Sequence, residues 1–172
     1  MAQWSYEPTR EQTPIIRPNM APQLEAASID DALLKTIYDQ DQALHPAALS
    51  FSRLQSWHDA CPNLSIVCKL NGNAVGAIIA MPLQKQSWED LLSGRLKEHH
   101  VETSMFVAEG AEGKDVGLHV FHVERFEGHE AVRGIGKLAT KLLQDVANKK
   151  SWNIVGYSGE YLPARFLAPA DD

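Results

Sequence analysis

The chain has 172 residues, 44% of them hydrophobic and 22% charged, with a formal net charge of −6. That length suits one domain with a proper core, and an acidic balance with scattered Lys and Arg argues against a nucleic-acid partner, whose phosphates call for clustered cations. Residues 1–13 are polar and expected to be flexible, with no apolar leader. PIIRPN (14–19), an apolar run between prolines, predicts an edge strand, where the missing amide donors do least harm. Helical periodicity begins at Ser28: with Ser28 or Asp30 as cap, Leu33, Leu34, Ile37 and Tyr38 share a face. A second helix follows His45-Pro46, turns Leu49, Leu54 and Trp57 inward, and ends before Pro62. LSIVCKL (64–70) and AVGAIIAMPL (74–83) flank Asn71-Gly72-Asn73, and Asn-Gly between two strand-like runs predicts a hairpin.

The second of those runs is also the longest apolar stretch, about half of what a bilayer-spanning helix needs, so no membrane partner is expected and the chain reads as soluble and cytoplasmic. Cys68, inside the first run, reads as a small core residue and Cys61 as a surface thiol; their spacing fits neither a redox pair nor a zinc knuckle. Ser87 with Asp90 three residues on resembles a capping box, opening a helix through Leu91, Leu92 and Leu96 to His99-His100. VGLHVFHV (116–123) is apolar on both faces, which predicts a central strand. A loop from Glu124 to Arg133 leads into a helix whose Ile135, Leu138, Ala139, Leu142, Leu143 and Val146 form one stripe. NIVGY (153–157) is the last strand, and residues 158–172 read as an irregular tail. The order is β-α-α-β-β-α-β-α-β, a mixed α/β (α+β) domain over 14–157.

The stretch VRGIGKLATKLL (132–143) places two glycines at the mouth of an amphipathic helix, where backbone can approach a ligand closely and unpaired amides face an anion. A Walker A loop is excluded, because Gly136-Lys137 is followed by Leu138 rather than Ser or Thr. A dinucleotide fingerprint matches letter for letter from Gly134 to Ala139, with Glu160 after the next strand. That motif needs its glycines tight against the preceding strand, whereas residues 124–133 intervene here. Two readings stay open: a phosphate cradle of another kind, or glycines that only permit close helix–strand packing.

Apolar strand, loop, xRGIGKxA, amphipathic helix and strand, preceded by the hairpin, resemble the core of the GNAT (general N-acetyltransferase) superfamily, with its Q/R-x-x-G-x-G/A signature. Ala131 stands in the slot of the signature's first residue, with Arg133 close by. The resemblance implies a GNAT-like mixed sheet flanked by helices, and acetyl-CoA or another acyl-CoA as co-substrate. It implies that the amides of Val132, Arg133, Gly134, Ile135, Gly136 and Lys137 meet the pyrophosphate, with Arg133 and Lys137 adding positive charge. The pantetheine arm would pair with the edge of strand 116–123 in a splay against the next strand, and the amide near Val123 would polarise the thioester carbonyl. Glu124 or His122, at the end of that strand, would take the proton of a small-molecule amine acceptor. The implied function is N-acetyl transfer by direct attack; the alternative is a non-catalytic, GNAT-like accessory protein.

Two further expectations follow. Among the crowded histidines, His119 and His122 are three apart on a strand and would face opposite sides, so no metal site is expected. The family fold continues past the strand at 153–157 with a helix and two strands that carry its tyrosine acid; here only Tyr161 follows, so those elements are expected to be lacking and a homodimer to cover the edge.

Overall fold

A computed structural model describes residues 24–44, 48–108 and 110–159. The strand expected at 14–19, the His45-Pro46 junction and the tail from Glu160 lie outside the described residues. The elements are β1 (Leu24–Ser28), α1 (Asp31–Leu44), α2 (Phe51–Ala60), β2 (Ser65–Leu70), β3 (Asn73–Gln84), α3 (Lys85–Leu92), β4 (Asp115–Arg125), α4 (Ile135–Lys149) and β5 (Asn153–Ser158). The order of the described strands and helices is the expected one, and it contains one strand that was not expected. The first described strand is Leu24–Ser28, whose LEAAS carries too little apolar alternation to announce itself and is held by antiparallel pairing with β2.

The strands form one five-stranded sheet in the order β1-β2-β3-β4-β5, antiparallel throughout except for the parallel β4–β5 pair. Asn71 and Gly72 turn the β2–β3 hairpin with φ of +53° and +83°, the sign that a two-residue primed turn requires. β4 is an interior strand, paired with β3 and β5 and covered on both faces as its two-sided apolarity predicts, though β3 holds the centre of the sheet. One face of the sheet packs Val67, Ala77, Ile79, Met81 and Leu83 against Leu34, Ile37, Leu54 and Trp57 of α1 and α2. The other packs Val116, Leu118 and Val120 against Leu143 and Ala147 of α4.

Local chemistry explains the helix boundaries. Asp30 caps α1, its Oδ1 accepting from the Leu33 amide at 2.8 Å, and Ser50 caps α2 by accepting from the Arg53 amide. In α4 the fully buried line is Ile135, Ala139, Leu143 and Ala147, with Leu138, Leu142 and Val146 half-buried beside it.

α3 corrects the expected helix. It begins at Lys85, without a side-chain cap, because Asp90 is engaged by the Arg95 guanidinium (Nε to Oδ1, 2.8 Å) rather than by the backbone near Ser87. It ends at Leu92 because Gly94 takes φ +74°, which stops a helix; Leu96, His99 and His100 lie beyond it. Cys68 is fully buried, as expected, and burial pushes its thiol up to about 11. Cys61 is half-buried against the core rather than a surface thiol.

Candidate active site

The site grows from two departures from regular structure along β4. The first is a bulge. His119 pairs with Met81 and Val120 with Ala80, but His122 pairs with Ile79, so Phe121 is the extra residue. Cross-strand partners share a face of a sheet, and Ala77, Ile79 and Met81 all face α1 and α2. His119, His122 and Glu124, opposite Met81, Ile79 and Ala77, therefore share that face. The expectation that His119 and His122 face opposite sides is thus overturned: an inserted residue shifts the strand's two-residue period by one. β4 also runs on to Arg125, so Glu124 belongs to the strand and not to the following loop. His122 Nε2 lies 3.2 Å from Glu124 Oε2, with both side chains partly buried.

The second departure is a gap in the pairing along the β5-side edge of β4. Pairing of β4 with β5 ends at His119–Ser158, while β4 remains paired with β3 as far as Arg125. Beyond His119 the β5-side edge of β4, including the backbone of Val123, has no strand partner among the described residues.

The glycine loop stands at the open end of this gap. Gly134 caps α4 with φ +89°, a left-handed conformation that glycine adopts without strain. It offers no side chain to the helix N-terminus, and the amides of Ile135, Gly136 and Lys137 have no acceptor among the described residues. The Val132 amide is already used, donating to the His129 carbonyl at 2.9 Å, and the Val132 carbonyl accepts from Arg125 Nη1 at 3.2 Å. These bonds tie the loop to itself and to the end of β4. Arg133 and Lys137 are exposed beside the free amides, which gives two positive charges at a helix N-terminus that already carries partial positive charge. A surface groove of about 650 Å³ runs from Gly134 and Gly136 along Lys137, Thr140 and Lys141. A smaller one, about 240 Å³, links Val123 and Glu124 to Gly134 and Gly136.

A third cluster had no signature in the sequence. His119, 6% exposed, has both ring nitrogens engaged: Nε2 lies 2.6 Å from Glu98 Oε1 and Nδ1 lies 2.9 Å from Ser158 Oγ. Trp88 Nε1 donates to the same Ser158 oxygen at 2.8 Å. The Trp88 ring lies so close over β4 and β5 that a Cβ on Gly117 would sit 2.0 Å, and one on Gly156 2.4 Å, from its atoms. Glu98, His119 and Ser158 lie on separate elements, so no local spacing links them.

The overall fold has counterparts among solved proteins. A ribosomal-protein-alanine N-acetyltransferase from Brucella melitensis biovar Abortus 2308 is 16% identical with a TM-score of 0.50, over 86% of this chain and 93% of that one. An aminoglycoside N-acetyltransferase solved with CoA is 11% identical with a TM-score of 0.47, over 86% of this chain and 82% of that one. No protein-family model and no curated protein matches the sequence. The class defined by the sheet order, the parallel β4–β5 pair and the match to the Brucella enzyme is the GNAT fold. The chain has that fold; among the described residues no helix is long and apolar enough to cross a membrane.

Proposed function

We propose that this chain is an acyl-CoA-dependent N-acyltransferase, acting on a small amine by direct transfer, with residues 14–157 as its acyl-CoA-binding domain. The observation that carries the reading is the gap in pairing along β4 beyond His119, unpartnered among the described residues, with the free amides of α4 at its end. An extended chain with amide groups at its middle and a pyrophosphate at one end fits both features. The gap offers strand-edge hydrogen bonds, and the helix offers amides and partial positive charge to an anion. Acetyl-CoA is the simplest such molecule, and the Brucella protein of like fold is an N-acetyltransferase.

In this reading Ile135, Gly136 and Lys137 hold the pyrophosphate through their amides, with Gly134 keeping the approach clear and Arg133 and Lys137 adding charge. The β4 backbone near Val123 orients the thioester. The acceptor enters over the face that carries His122 and Glu124. A carboxylate only accepts hydrogen bonds, so His122 Nε2–H donates to Glu124 and leaves Nδ1 of the neutral ring free to take a proton from the incoming ammonium. Glu124 then balances the charge on the imidazolium.

Calorimetric titration of coenzyme A into the purified chain tests the proposal, with Gly134→Asp as control. Saturable binding is expected in the wild type. The variant should lose it, because Asp brings both a left-handed backbone penalty and a negative charge to the cradle. A wild-type chain that does not bind refutes the acyltransferase reading and leaves a fold used without turnover.

A further inference from the structure

We infer that Ser158, backed by His119 and Glu98, carries a proton from the amine to the departing thiolate. This rests on the acyltransferase reading and adds to it a second proton path, separate from the His122–Glu124 pair.

With His119 neutral, the hydrogen-bond chemistry of the cluster permits one consistent assignment. Glu98, as a carboxylate, only accepts, so His119 Nε2 carries a proton and donates to it across 2.6 Å. In the neutral ring Nδ1 is then bare, and the Ser158 hydroxyl donates to it across 2.9 Å. Trp88 Nε1–H, which can only donate, completes the serine oxygen at 2.8 Å. When Nδ1 gains a proton the direction reverses. The imidazolium, charge-balanced by Glu98, donates to the serine oxygen and frees the hydroxyl proton to turn elsewhere. The cluster thus has two settings, one that draws the serine proton inward and one that releases it.

Its position gives these settings a use. His119 and Ser158 are the last paired residues of β4 and β5, at the vertex of the gap. A chain laid in the gap from the α4 end brings its far end, the thioester, to this vertex. The two residues are 6% and 7% exposed, so the site is shielded from water, while Glu98 keeps 32% of its side chain exposed.

The ammonium gives its first proton to the His122–Glu124 pair, and the free amine attacks the thioester carbon. The C–N bond forms while the carbonyl π electrons move onto oxygen. The nitrogen now holds one proton too many; Ser158 Oγ takes it as the serine's own proton passes to His119 Nδ1. The carbonyl reforms, the C–S bond breaks with its electrons going to sulfur, and the thiolate takes the Ser158 proton, which Nδ1 replaces. Nitrogen and sulfur are bonded to the same carbon, so one hydroxyl can serve both. Amide and thiol leave, the Ser158 cluster returns to its first setting, and His122 gives the ammonium's first proton to solvent.

The experiment follows thiol release from acetyl-CoA with a panel of small primary amines and hydroxylamine, beside calorimetric binding of coenzyme A and thermal melting of each variant. Ser158→Ala should slow turnover about 10²-fold, the low end of general acid–base effects, with coenzyme A affinity held within about twofold. Ser158→Thr keeps the hydroxyl and should stay within about tenfold of wild type. His119→Asn can still hydrogen-bond Ser158 but cannot store the proton, and should match Ser158→Ala. The double variant should be no slower than either single one, as for groups acting as a unit. If Ser158→Ala fails to fold, Ser158→Thr and His119→Asn decide the question in its place. Near-wild-type turnover in Ser158→Ala or His119→Asn, or additive losses in the double variant, overturns this inference alone. Wild-type binding of coenzyme A without thiol release above the uncatalysed rate also overturns it, whereas no binding at all overturns the acyltransferase reading first.

Discussion

Trp88 packs against two glycines on neighbouring strands, and Gly117→Ala puts that contact to a quantitative test. A Cβ at residue 117 would lie 2.0 Å from Trp88 Cγ, 2.4 Å from Cδ2 and 2.5 Å from Cβ. These atoms are at the root of the side chain, so no rotation of its far end relieves the clash; the indole or the α3 backbone must move. Overpacking of this kind costs about 1–3 kcal/mol. Displacing the ring also breaks the Trp88–Ser158 hydrogen bond, worth about 0.5–1.5 kcal/mol net. Replacing a strand glycine returns about 0.5–1 kcal/mol through the unfolded state. The net expectation is a loss of about 1–3 kcal/mol. Urea unfolding followed by far-ultraviolet circular dichroism should be run on wild type, Gly117→Ala, Trp88→Ala and the double variant. With Trp88 gone the alanine methyl has room, so Gly117→Ala should be neutral or slightly stabilising in that background, giving a coupling of about 1–3 kcal/mol. Additive losses within about 0.5 kcal/mol would refute the packing argument.

Three other outcomes follow from particular residues. Gly134→Ala should cost about 1–2 kcal/mol in urea unfolding, because its φ of +89° lies where L side chains are strained; a neutral effect would show that the loop can reorganise. Asp30→Ala removes the α1 cap and should cost about 1 kcal/mol, whereas Asp30→Asn should cost less than half of that. Burial raises the Cys68 thiol from 9.0 to about 11, so the folded state holds its proton where the unfolded state has lost it. The associated stability is complete below pH 9 and is lost as pH rises from 9 to 11, by about 2–3 kcal/mol. Unfolding curves across that range should show this slope in wild type and lose it in Cys68→Ala. An unchanged slope would place its origin in other groups.

The elements that could be read from sequence are those whose own residues carry the information. α1 and α4 show helical period with buried stripes, the Asn71-Gly72 hairpin has its turn chemistry in two letters, and β4 is apolar on both faces because both faces are covered. The misread elements are those decided elsewhere. β1 is a strand because β2 offers it an edge, not because LEAAS alternates. The expected capping box at Ser87 fails because Arg95, beyond the helix, takes the carboxylate of Asp90, and the expected helix stops early because Gly94 adopts a left-handed conformation. A local pattern predicts a helix start well only when no distant partner competes for the capping group.

The site shows the same division more sharply. Gly134 and Gly136 stand out in the sequence because backbone freedom is a property of the residue itself. The side chains around the gap do not stand out, because their meeting depends on phase. Without the bulge at Phe121, a strict two-residue alternation would turn His122 and Glu124 towards α4 while His119 stayed facing α1 and α2. One inserted residue puts all three on the α1–α2 face, and the end of β4–β5 pairing at the same level brings Ser158 to His119. Nothing in VGLHVFHVER marks which residue will be extra, since the bulge is a property of the β3–β4 pair and not of either strand alone. Deleting Phe121 should straighten β4 and cost the core the edge contact between the Phe121 and Trp57 rings. His122 would still pair with Ile79 and Glu124 with Ala77, so both keep the α1–α2 face beside His119, and the free amides of Ile135, Gly136 and Lys137 stay in place. In the acyltransferase reading such a chain is less stable but still binds coenzyme A and still releases thiol, outcomes that urea unfolding, titration and a thiol assay measure side by side.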